Sequence, residues 1–545
     1  MNESIQSLDL FNQLERLNVI GIALSSEHDN DRLLETILLG AKELTNADGG
    51  TLYTVTEERK LKFEIMRTQS LNIAMGGKTG KAIPFLALPI YLEDGQPNIN
   101  MVAAYSVVNG QTVNIPDAYL TEGFDFSGTR SFDEKMGYRS QSFLTVPMKN
   151  HENETIGVLQ LINAIDPRTK EIIAFSEAHQ RLVESLASQA AVALTNKNLI
   201  RGLKNLFESF IKLIADAIDE KSPYTGGHCQ RVPELTMMLA EAAMKADSGP
   251  LKDFSMTEEE VYELKIAAWL HDCGKVTTPE SVMDKATKLE TIFDRIHLVD
   301  QRFELLKSQR EIAYLRMAVE TAKSGKLLNT KSLDEDIDDI KKALDDDKNF
   351  IRRANIGSEA MRPVDQRRVR TIANYEYIDE HDHKIKFLSE NEVYNLTIVR
   401  GTLTPEERKV INHHIIATVN MLESLPYPKD LARVPEYAGG HHERMDGKGY
   451  PKGLTREQMS IPARMMGIAD IFEALTSKDR PYKKAKTLSE TLNILGRMKL
   501  DNHIDPDIFD LFVREKVYMR YAEMFLDSTQ IDAIDEDTIP GYLKY

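Results

Sequence analysis

The sequence predicts a multidomain protein with an α+β domain near its N-terminus and a long helix after it. The chain has 545 residues, which is more than one hydrophobic core usually serves. Four segments between Gly50 and Asn163 alternate apolar and polar residues, as strands do. Residues 176–220 contain no proline and only one glycine, Gly202, so we expect an uninterrupted helix there.

Helical patterns enclose the predicted strands. The strands begin at Gly50, Leu61, Ser142 and Ile156, and a helix begins at Ser176 after the last of them. Between about residues 10 and 48, apolar residues recur at helical spacing. They are Leu33, Leu34, Ile37, Leu38 and Ala41. Helices packed on an antiparallel sheet give an α+β pattern of the sensor-domain kind.

The predicted long helix carries an apolar stripe near heptad spacing. Two copies of such a helix can pair as a parallel coiled coil, so we predict a homodimer. The alternative is that each part of the stripe packs on its own domain. Asn196 and Lys197 interrupt the stripe. Its members are Leu186, Ala190, Ala193, Ile200, Leu203, Phe207, Phe210 and Ile214.

Composition excludes several classes of protein. The net charge of −17 disfavours binding to a nucleic-acid polymer, although a local basic pocket for a small phosphate ligand remains compatible with it. Only two cysteines occur, Cys229 and Cys273, which excludes a disulfide framework and fits a reducing cytosol. We expect both to be small buried residues. No apolar run reaches membrane-spanning length and the N-terminus is unlike a signal peptide, so we expect a cytoplasmic protein without a membrane partner.

Five separate segments carry side chains of the kinds that bind metal ions. Adjacent histidines are poor core material, because each imidazole needs partners for both ring nitrogens. Imidazole and carboxylate together suit iron, manganese, zinc or nickel. Seven ligands exceed the needs of one tetrahedral ion, so two ions sharing a bridging carboxylate are expected. The candidates are His228, His271, Asp272, His414, His441, His442 and Asp470.

The N-terminal part resembles a GAF domain over about residues 15–195. The resemblance implies a sensor domain with a small-molecule ligand that the sequence does not identify. Asn163 and Phe175 fit the signature of cyclic-nucleotide-binding members, whereas Ala164 and the pair His179-Gln180 depart from it, which argues against such a ligand. The matching segments begin at Ala47, Asn114, Gly137 and Gly157.

The metal-type segments closely resemble the HD-GYP family of phosphohydrolases. The matching elements occur in family order over about residues 205–290 and 400–485, and include His271-Asp-Cys-Gly-Lys and the run from His441 to Pro451. The resemblance implies an all-helical domain, a metal centre and hydrolysis of cyclic di-GMP. We expect two divalent transition-metal ions per chain, with iron as first choice and manganese or nickel as alternatives. Some members carry a third-metal glutamate where this chain has Tyr224.

Domain limits follow from these matches. We predict a GAF domain at residues 1–195, a linking helix at 196–220 and an HD-GYP domain at 221–485. An insertion at about 287–400, charged and helical in pattern, forms either a lid or a partner surface. Residues 486–545 are predicted to form a helical extension, a helix followed by a tail.

The resemblance and metal chemistry together suggest roles for individual residues. Asp272 is expected to bridge the two ions. Lys275 lies three residues further on, one helical turn away, where its ammonium can face a phosphate oxygen. Arg480 and Lys483 either clamp a second phosphate or are ordinary surface charges. Both Asp272 and Lys275 are thus catalytic candidates.

The Gly-Lys-Gly-Tyr-Pro segment is expected to shape the substrate pocket. Gly449 and Pro451 make its backbone permissive and then rigid, and Tyr450 lies between them. Asp446 either contacts the substrate or caps the turn.

Three functions are compatible with the sequence. The first is a cyclic dinucleotide phosphodiesterase controlled by the GAF domain, which the Gly-Tyr-Pro element favours. The second is a cyclic mononucleotide phosphodiesterase, since such enzymes also join GAF and HD-type domains. The third is an inactive scaffold that binds a dinucleotide. The complete ligand set argues against the third, because a scaffold need not keep seven ligands and Lys275.

Overall fold

The computed structural model describes residues 2–27, 29–221, 226–325, 330–357, 360–478 and 485–544. The chain divides into two compact units, Met1–Leu206 and Phe207–Tyr545. Among the described residues, no helix combines the length and the apolar composition needed to cross a membrane.

The first unit is an antiparallel sheet with helices, which confirms the predicted α+β class. Its helices are α1 (Asn2–Ser26), α2 (Asn30–Thr45), α3 (Val102–Asn109), α4 (Ser127–Met136) and the start of α5 (Glu177–Lys221). Its strands are β1 (Ala47–Val55), β2 (Lys60–Thr68), β3 (Ile73–Gly76), β4 (Leu88–Pro89), β5 (Val113–Ile115), β6 (Phe143–Lys149), β7 (Thr155–Ile165) and β8 (Ile172–Ile173).

The sheet has the strand order β3-β2-β1-β7-β6-β5, with β4 added to β2 and β8 to β7. Its register pairs Leu52 of β1 with Leu159 of β7. On one face these leucines join a core with apolar residues of α1, α2 and α5. On the other face Tyr53 and Val158 pack with Ala103 of α3, so successive β1 residues serve opposite faces.

Helix α5 is continuous from Glu177 to Lys221, as the lack of proline predicts. The predicted domain limits at residues 195 and 220 fall inside this helix and remain predictions. The apolar stripe divides in exposure. Leu186 and Ala190 are buried in the first unit's core, whereas Leu203 and Phe210 are 66% and 56% exposed.

The second unit is almost entirely helical. After α5 it contains α6 (His228–Met244), α7 (Glu258–Leu270), α8 (Glu280–Met283), α9 (Ile296–Lys323), α10 (Thr330–Asn355), α11 (Pro363–Ala373), α12 (Glu390–Leu396), α13 (Pro405–Glu423), α14 (Val434–Gly439), α15 (Ile461–Thr476), α16 (Leu488–Leu500), α17 (Pro506–Arg514) and α18 (Val517–Phe525). A hairpin, β9 (Glu376–Ile378) with β10 (Lys384–Lys386), lies between α11 and α12. The start of α13 shows how sequence sets a boundary: Thr404 and Glu407 form a capping box and Pro405 takes the first helical position.

The predicted insertion has a hydrophobic core of its own, built from residues between Leu289 and Leu396. Buried Lys285 links it to helix α13, because the Lys285 ammonium lies 2.8 Å from the Glu407 carboxylate of α13 and 2.9 Å from the Asn395 side chain. Lys288, also buried, donates to the carbonyl of Ile398 at 2.8 Å.

The C-terminal region differs from the expected helix and tail. Three helices, α16 to α18, follow one another, and Leu492, Phe509 and Tyr521 are buried in the core that also contains Leu264 of α7. The short, turn-separated helices explain why a single helix was expected: only α16 is long enough to show a clear period.

Candidate metal centre

The seven predicted ligands come from five places in the second unit and meet in one site. His228 is the first residue of α6, His271 and Asp272 follow α7, and His414 lies in α13. His441 and His442 follow α14, and Asp470 lies in α15. All are buried except His442, which is partly buried.

The ligand atoms form two groups. In the first, which we call the His228 group, ligand atoms of His228, His271 and Asp272 lie within 4.8 Å of one another. Its closest distances are 3.2 Å from His228 Nε2 to Asp272 Oδ2 and 3.3 Å to His271 Nε2. Asp470 Oδ1 is 3.3 Å from His228 Nε2 and so belongs to this side of the site.

The second, the His414 group, contains His414, His441 and His442. Asp272 lies between the groups: its Oδ2 faces His228, and its Oδ1 is 3.3 Å from His414 Nε2. Gly274 permits this approach. A Cβ there would stand 2.0 Å from the carbonyl oxygen of His414, so only glycine lets the turn after Asp272 reach α13.

Three histidines of the site are held in the tautomer whose Nε2 lone pair faces the site. Nδ1 of His271, His414 and His441 each lies 2.5–2.8 Å from a backbone carbonyl oxygen, that of Ala268, Ile411 and Ala438 respectively. A carbonyl only accepts, so each Nδ1 carries the hydrogen and each Nε2 presents a lone pair.

Among the described residues, three buried atoms of the site find no hydrogen-bond partner: Asp272 Oδ1, His414 Nε2 and His441 Nε2. Leaving buried acceptors unpaired is costly. Two of them face each other at 3.3 Å, which is repulsive for two lone pairs unless a cation shares them. The donor set of imidazoles and carboxylates therefore fits divalent transition-metal ions.

A residue outside the predicted set orients the first histidine. Glu473 Oε2 lies 2.5 Å from His228 Nδ1, and its other oxygen accepts from Arg231 Nε at 2.8 Å. A carboxylate behind a ligand histidine fixes the ring and increases its basicity. The available signal was the spacing, since Glu473 follows Asp470 by three residues and so shares its helix face.

The two groups differ in the pKa values of their histidines. Burial alone would lower the pKa of His228, but the carboxylates of Glu473, Asp272 and Asp470 outweigh it and raise that pKa well above its usual value. Burial, reinforced by neighbouring imidazoles, holds the pKa of His441 well below its usual range. Burial lowers the pKa of His442 to about 4.

Lys275 lies at the edge of the site. Its Nζ is 2.5 Å from Asp272 Oδ2. Burial opposes its charged form, yet the Asp272 carboxylate prevails and raises the pKa of Lys275. Arg480, Lys483 and Tyr224, which the sequence also singles out, lie outside the described residues.

The Gly-Tyr-Pro loop folds back onto the histidine pair. The ring of Tyr450 lies 4.9 Å from that of His442 at an angle of 32°. A Cβ on Gly449 would stand 2.4 Å from the backbone nitrogen of Arg444, so this return needs glycine. Asp446 accepts from Arg444 and from the backbone N–H of Lys448, each at 3.1 Å, which is the turn-capping alternative.

Glu443, a second residue missing from the predicted set, closes this loop. Its buried carboxylate accepts backbone N–H groups from Lys452, Gly453 and Leu454 at 2.7, 3.1 and 2.9 Å. The only signal in the sequence was its position directly after the His441-His442 pair. Glutamate there reads equally well as a surface residue, so the contact was not predictable.

Comparisons with known proteins agree with this layout. The GAF domain family matches residues 29–194 and the HD domain family matches residues 390–508. The second match contains His414, His441, His442 and Asp470.

Curated relatives include bacterial phosphodiesterases. The 3'3'-cGAMP-specific phosphodiesterase 1 of Vibrio cholerae is 44% identical over 81 residues, 15% of this chain and 19% of the relative. A cyclic di-GMP phosphodiesterase of Pseudomonas aeruginosa is 39% identical over 137 residues, 25% and 32% of the two chains. The match with the 3'3'-cGAMP-specific phosphodiesterase 3 of V. cholerae is 38% over 109 residues, 20% and 23%. This chain thus matches between a fifth and a third of the length of these relatives. Together with the family matches, the fold and the ligand cluster show that the chain carries a GAF domain followed by an HD domain.

Proposed function

We propose that the chain is a metal-dependent phosphodiesterase that hydrolyses a cyclic dinucleotide, with cyclic di-GMP as the first choice. The observation that carries the proposal is the pair of ligand groups with Asp272 between them. The names of the relatives, which cover cyclic di-GMP and 3'3'-cGAMP, support this substrate class.

We infer two divalent ions per chain, iron first, with manganese or nickel as alternatives. Such ions would lower the pKa of a shared water and polarise the phosphodiester. The inference of two rather than three rests on Tyr224, a phenol being a weaker ligand than a carboxylate because its pKa is ~10. Anomalous scattering from crystals should give two fully occupied positions, and three would refute the inference.

Within this proposal the chain's own residues bind and orient the substrate. Asp272 holds both ligand groups in register. The ammonium of Lys275 neutralises a non-bridging phosphate oxygen next to Asp272. Tyr450 forms a wall of the pocket beside His442. Arg480 and Lys483 are proposed to hold the second phosphate.

A substrate panel tests the proposal. Purified protein with measured metal content is given cyclic di-GMP, 3'3'-cGAMP, cyclic GMP and cyclic AMP, and products are separated by chromatography. Hydrolysis of a cyclic dinucleotide supports the proposal. Turnover of cyclic mononucleotides alone would replace it with the second function, and binding without turnover in metal-loaded protein would favour the scaffold.

We propose that the GAF domain controls this activity and that α5 forms a homodimer. The exposed apolar side chains of α5 support pairing: Leu199, Leu203, Leu206, Phe210 and Leu213 recur at alternating spacings of four and three. Leu203→Glu with Phe210→Glu should give monomers by light scattering, whereas Arg201→Glu, a charge change on the same helix, should not. An unchanged mass in the double variant would place the interface elsewhere.

Control by the GAF domain has its own test. Removing residues 1–195 should change turnover or its response to small molecules, since the GAF ligand would then have no site. If the shortened protein is folded and behaves like the full chain under every condition, the GAF domain does not regulate the enzyme.

A further inference from the structure

The end of helix α5 lies against the segments that carry the His228 group. Its side chains Ile211, Ala215 and Ile218 are buried in the core of the second unit. The last turn of the helix is therefore fixed to the same core as α6 and α7. Two polar residues of this turn, Asp219 and Lys221, contact different ligand-bearing segments.

Lys221 holds the turn that follows Asp272. Its Nζ donates to the carbonyl oxygens of Val276 at 2.5 Å and Thr278 at 2.8 Å, with a longer contact of 3.4 Å to that of Lys275. These carbonyls belong to the short 3-10 turn Cys273–Thr277 and to the residue after it. A charged donor shared by several carbonyls fixes a turn more firmly than a neutral hydrogen bond does.

Asp219 holds the start of α6. Its carboxylate accepts the backbone N–H of Gly227 at 3.0 Å and that of Cys229 at 3.2 Å. Gly227 is the N-cap of α6 and has no side chain to cap the helix, so Asp219 supplies the missing acceptor from another helix. His228 lies between the two anchored residues. The carboxylate is buried, 7% exposed, so water does not compete strongly for these contacts.

We propose that Asp219 and Lys221, the α5 clamp, are positioning residues that set His228 and the Asp272–Lys275 turn in register with each other. This inference rests on the proposed function and deepens its regulation. The clamp touches both segments from one helical turn, so a small movement of α5 displaces His228 relative to Asp272 and Lys275. Helix α5 begins at Glu177, inside the GAF domain match. A movement of α5 caused by the GAF domain would therefore act on the metal-binding residues through the clamp.

The clamp predicts local effects that a general loss of stability would not produce. In the full-length chain, Asp219→Asn should speed hydrogen exchange at the amides of Gly227 and Cys229. Lys221→Met should speed exchange at Lys275 and Thr278, whose amides close the turn. Both variants should lower kcat and metal affinity by roughly 10- to 100-fold, as loss of a ligand-orienting contact typically does, with KM nearly unchanged. Lys221→Arg keeps a charged donor and should restore most of the loss.

Matched controls lie on the same helix. Lys212→Met removes a cation that stands 5.7 Å from the Trp269 ring, and Asp216→Asn alters a carboxylate that accepts from the Gln230 side chain at 3.0 Å. In the described part of the chain, neither side chain contacts the turn after Asp272 or the backbone amides of Gly227 and Cys229, although the partner of Asp216, Gln230, lies in the first turn of α6. Both variants should therefore match wild type in exchange at the four amides.

Two results would overturn the proposal. The first is wild-type exchange at all four amides in the clamp variants. The second is faster exchange with unchanged metal affinity, which would make the contacts structural only. Exchange and metal affinity are measured without substrate, so they decide about the clamp even if no cyclic dinucleotide is hydrolysed. Turnover of the wild type decides separately about the proposed function.

Discussion

The two ligand groups of the site have opposite electrostatic environments. The His228 group collects the carboxylates of Asp272, Asp470 and Glu473 around its imidazoles, and these raise the pKa of His228. The His414 group has backbone carbonyls behind His414 and His441, and burial lowers the pKa of His441 and His442. One group concentrates negative charge, whereas the other offers neutral lone pairs. We therefore expect the two groups to differ in how their metal affinity changes when a supporting residue is lost and in how their histidines respond to acid.

The largest expected effect comes from the residue that both groups share. Asp272→Ala removes the carboxylate whose two oxygens lie 3.2 Å from His228 Nε2 and 3.3 Å from His414 Nε2. We expect metal loading at both groups to fail and turnover to fall to background, because Asp272 is the one carboxylate in the described part of the chain that lies within 4 Å of histidines in both groups. Elemental analysis and product chromatography measure the two quantities on the same sample.

Asp253→Ala, an exposed aspartate elsewhere in the second unit, serves as the control for this change. Circular dichroism should show both variants folded. Wild-type metal content in Asp272→Ala would end the view that one carboxylate joins the groups.

A smaller and one-sided effect is expected from Glu473→Gln. The amide preserves size but removes the charge 2.5 Å from His228 Nδ1, so His228 loses its orientation and basicity. Loss of such a supporting carboxylate typically weakens metal affinity by about 10- to 100-fold. Titration with a competing chelator should show one weakened site and one unchanged site.

Glu436→Gln is the matched control, since Glu436 accepts from Ser460 and not from a ligand. Equal weakening of both sites by Glu473→Gln would contradict the separation of the groups and show that the site responds as a unit.

The corresponding change beside the His414 group is Glu443→Gln. One amide oxygen cannot replace two carboxylate oxygens, so at least one N–H of residues 452–454 loses its acceptor. We expect the Gly-Tyr-Pro loop to loosen and Tyr450 to lose its position over His442. Substrate binding should suffer more than metal binding, with KM rising by roughly tenfold, the effect of about 1.4 kcal/mol.

Steady-state kinetics with parallel metal analysis measure this split. If metal content falls and KM stays constant, Glu443 supports the ligands instead of the pocket wall.

Some features of the fold and of the two ligand groups could be predicted from the sequence, and others could not. The α+β class and the continuous α5 were predictable, because strand alternation and the absence of proline can be seen in the sequence. The seven candidate ligands, singled out by their residue types, lie together in the structure. Whether the seven side chains act as ligands remains a prediction. For Glu473 the sequence offered only its spacing from Asp470, and for Glu443 it offered no specific signal. The role of each depends on a contact with a distant segment: His228 for Glu473 and three backbone amides for Glu443. Helices α17 and α18 were not expected because each is too short to show a clear period.

The smallest predicted effect is a loss of stability of the metal-free protein at acid pH. Burial lowers the pKa of His442 to about 4, so the folded protein holds this imidazole neutral while the unfolded chain, with a pKa near 6.5, takes up a proton. Its contribution to the free energy of unfolding is therefore fully present above about pH 6.5 and is lost as the pH falls toward 4. His228 acts in the opposite sense, because its raised pKa favours the protonated imidazole, and that stabilisation is lost only as the pH rises through its folded value.

At one pKa unit per about 1.4 kcal/mol, the loss due to His442 between pH 6.5 and pH 5 should be on the order of 2 kcal/mol. Urea unfolding with a chelator present, followed by the fluorescence of Trp269, the single tryptophan, measures it. In His442→Gln this part of the slope should disappear, while His413→Gln, an exposed neighbour of His414, should keep it. An equal slope in wild type and His442→Gln would mean that His442 is not held neutral in the folded protein. The His414 group would then differ from the His228 group in composition but not in electrostatic design.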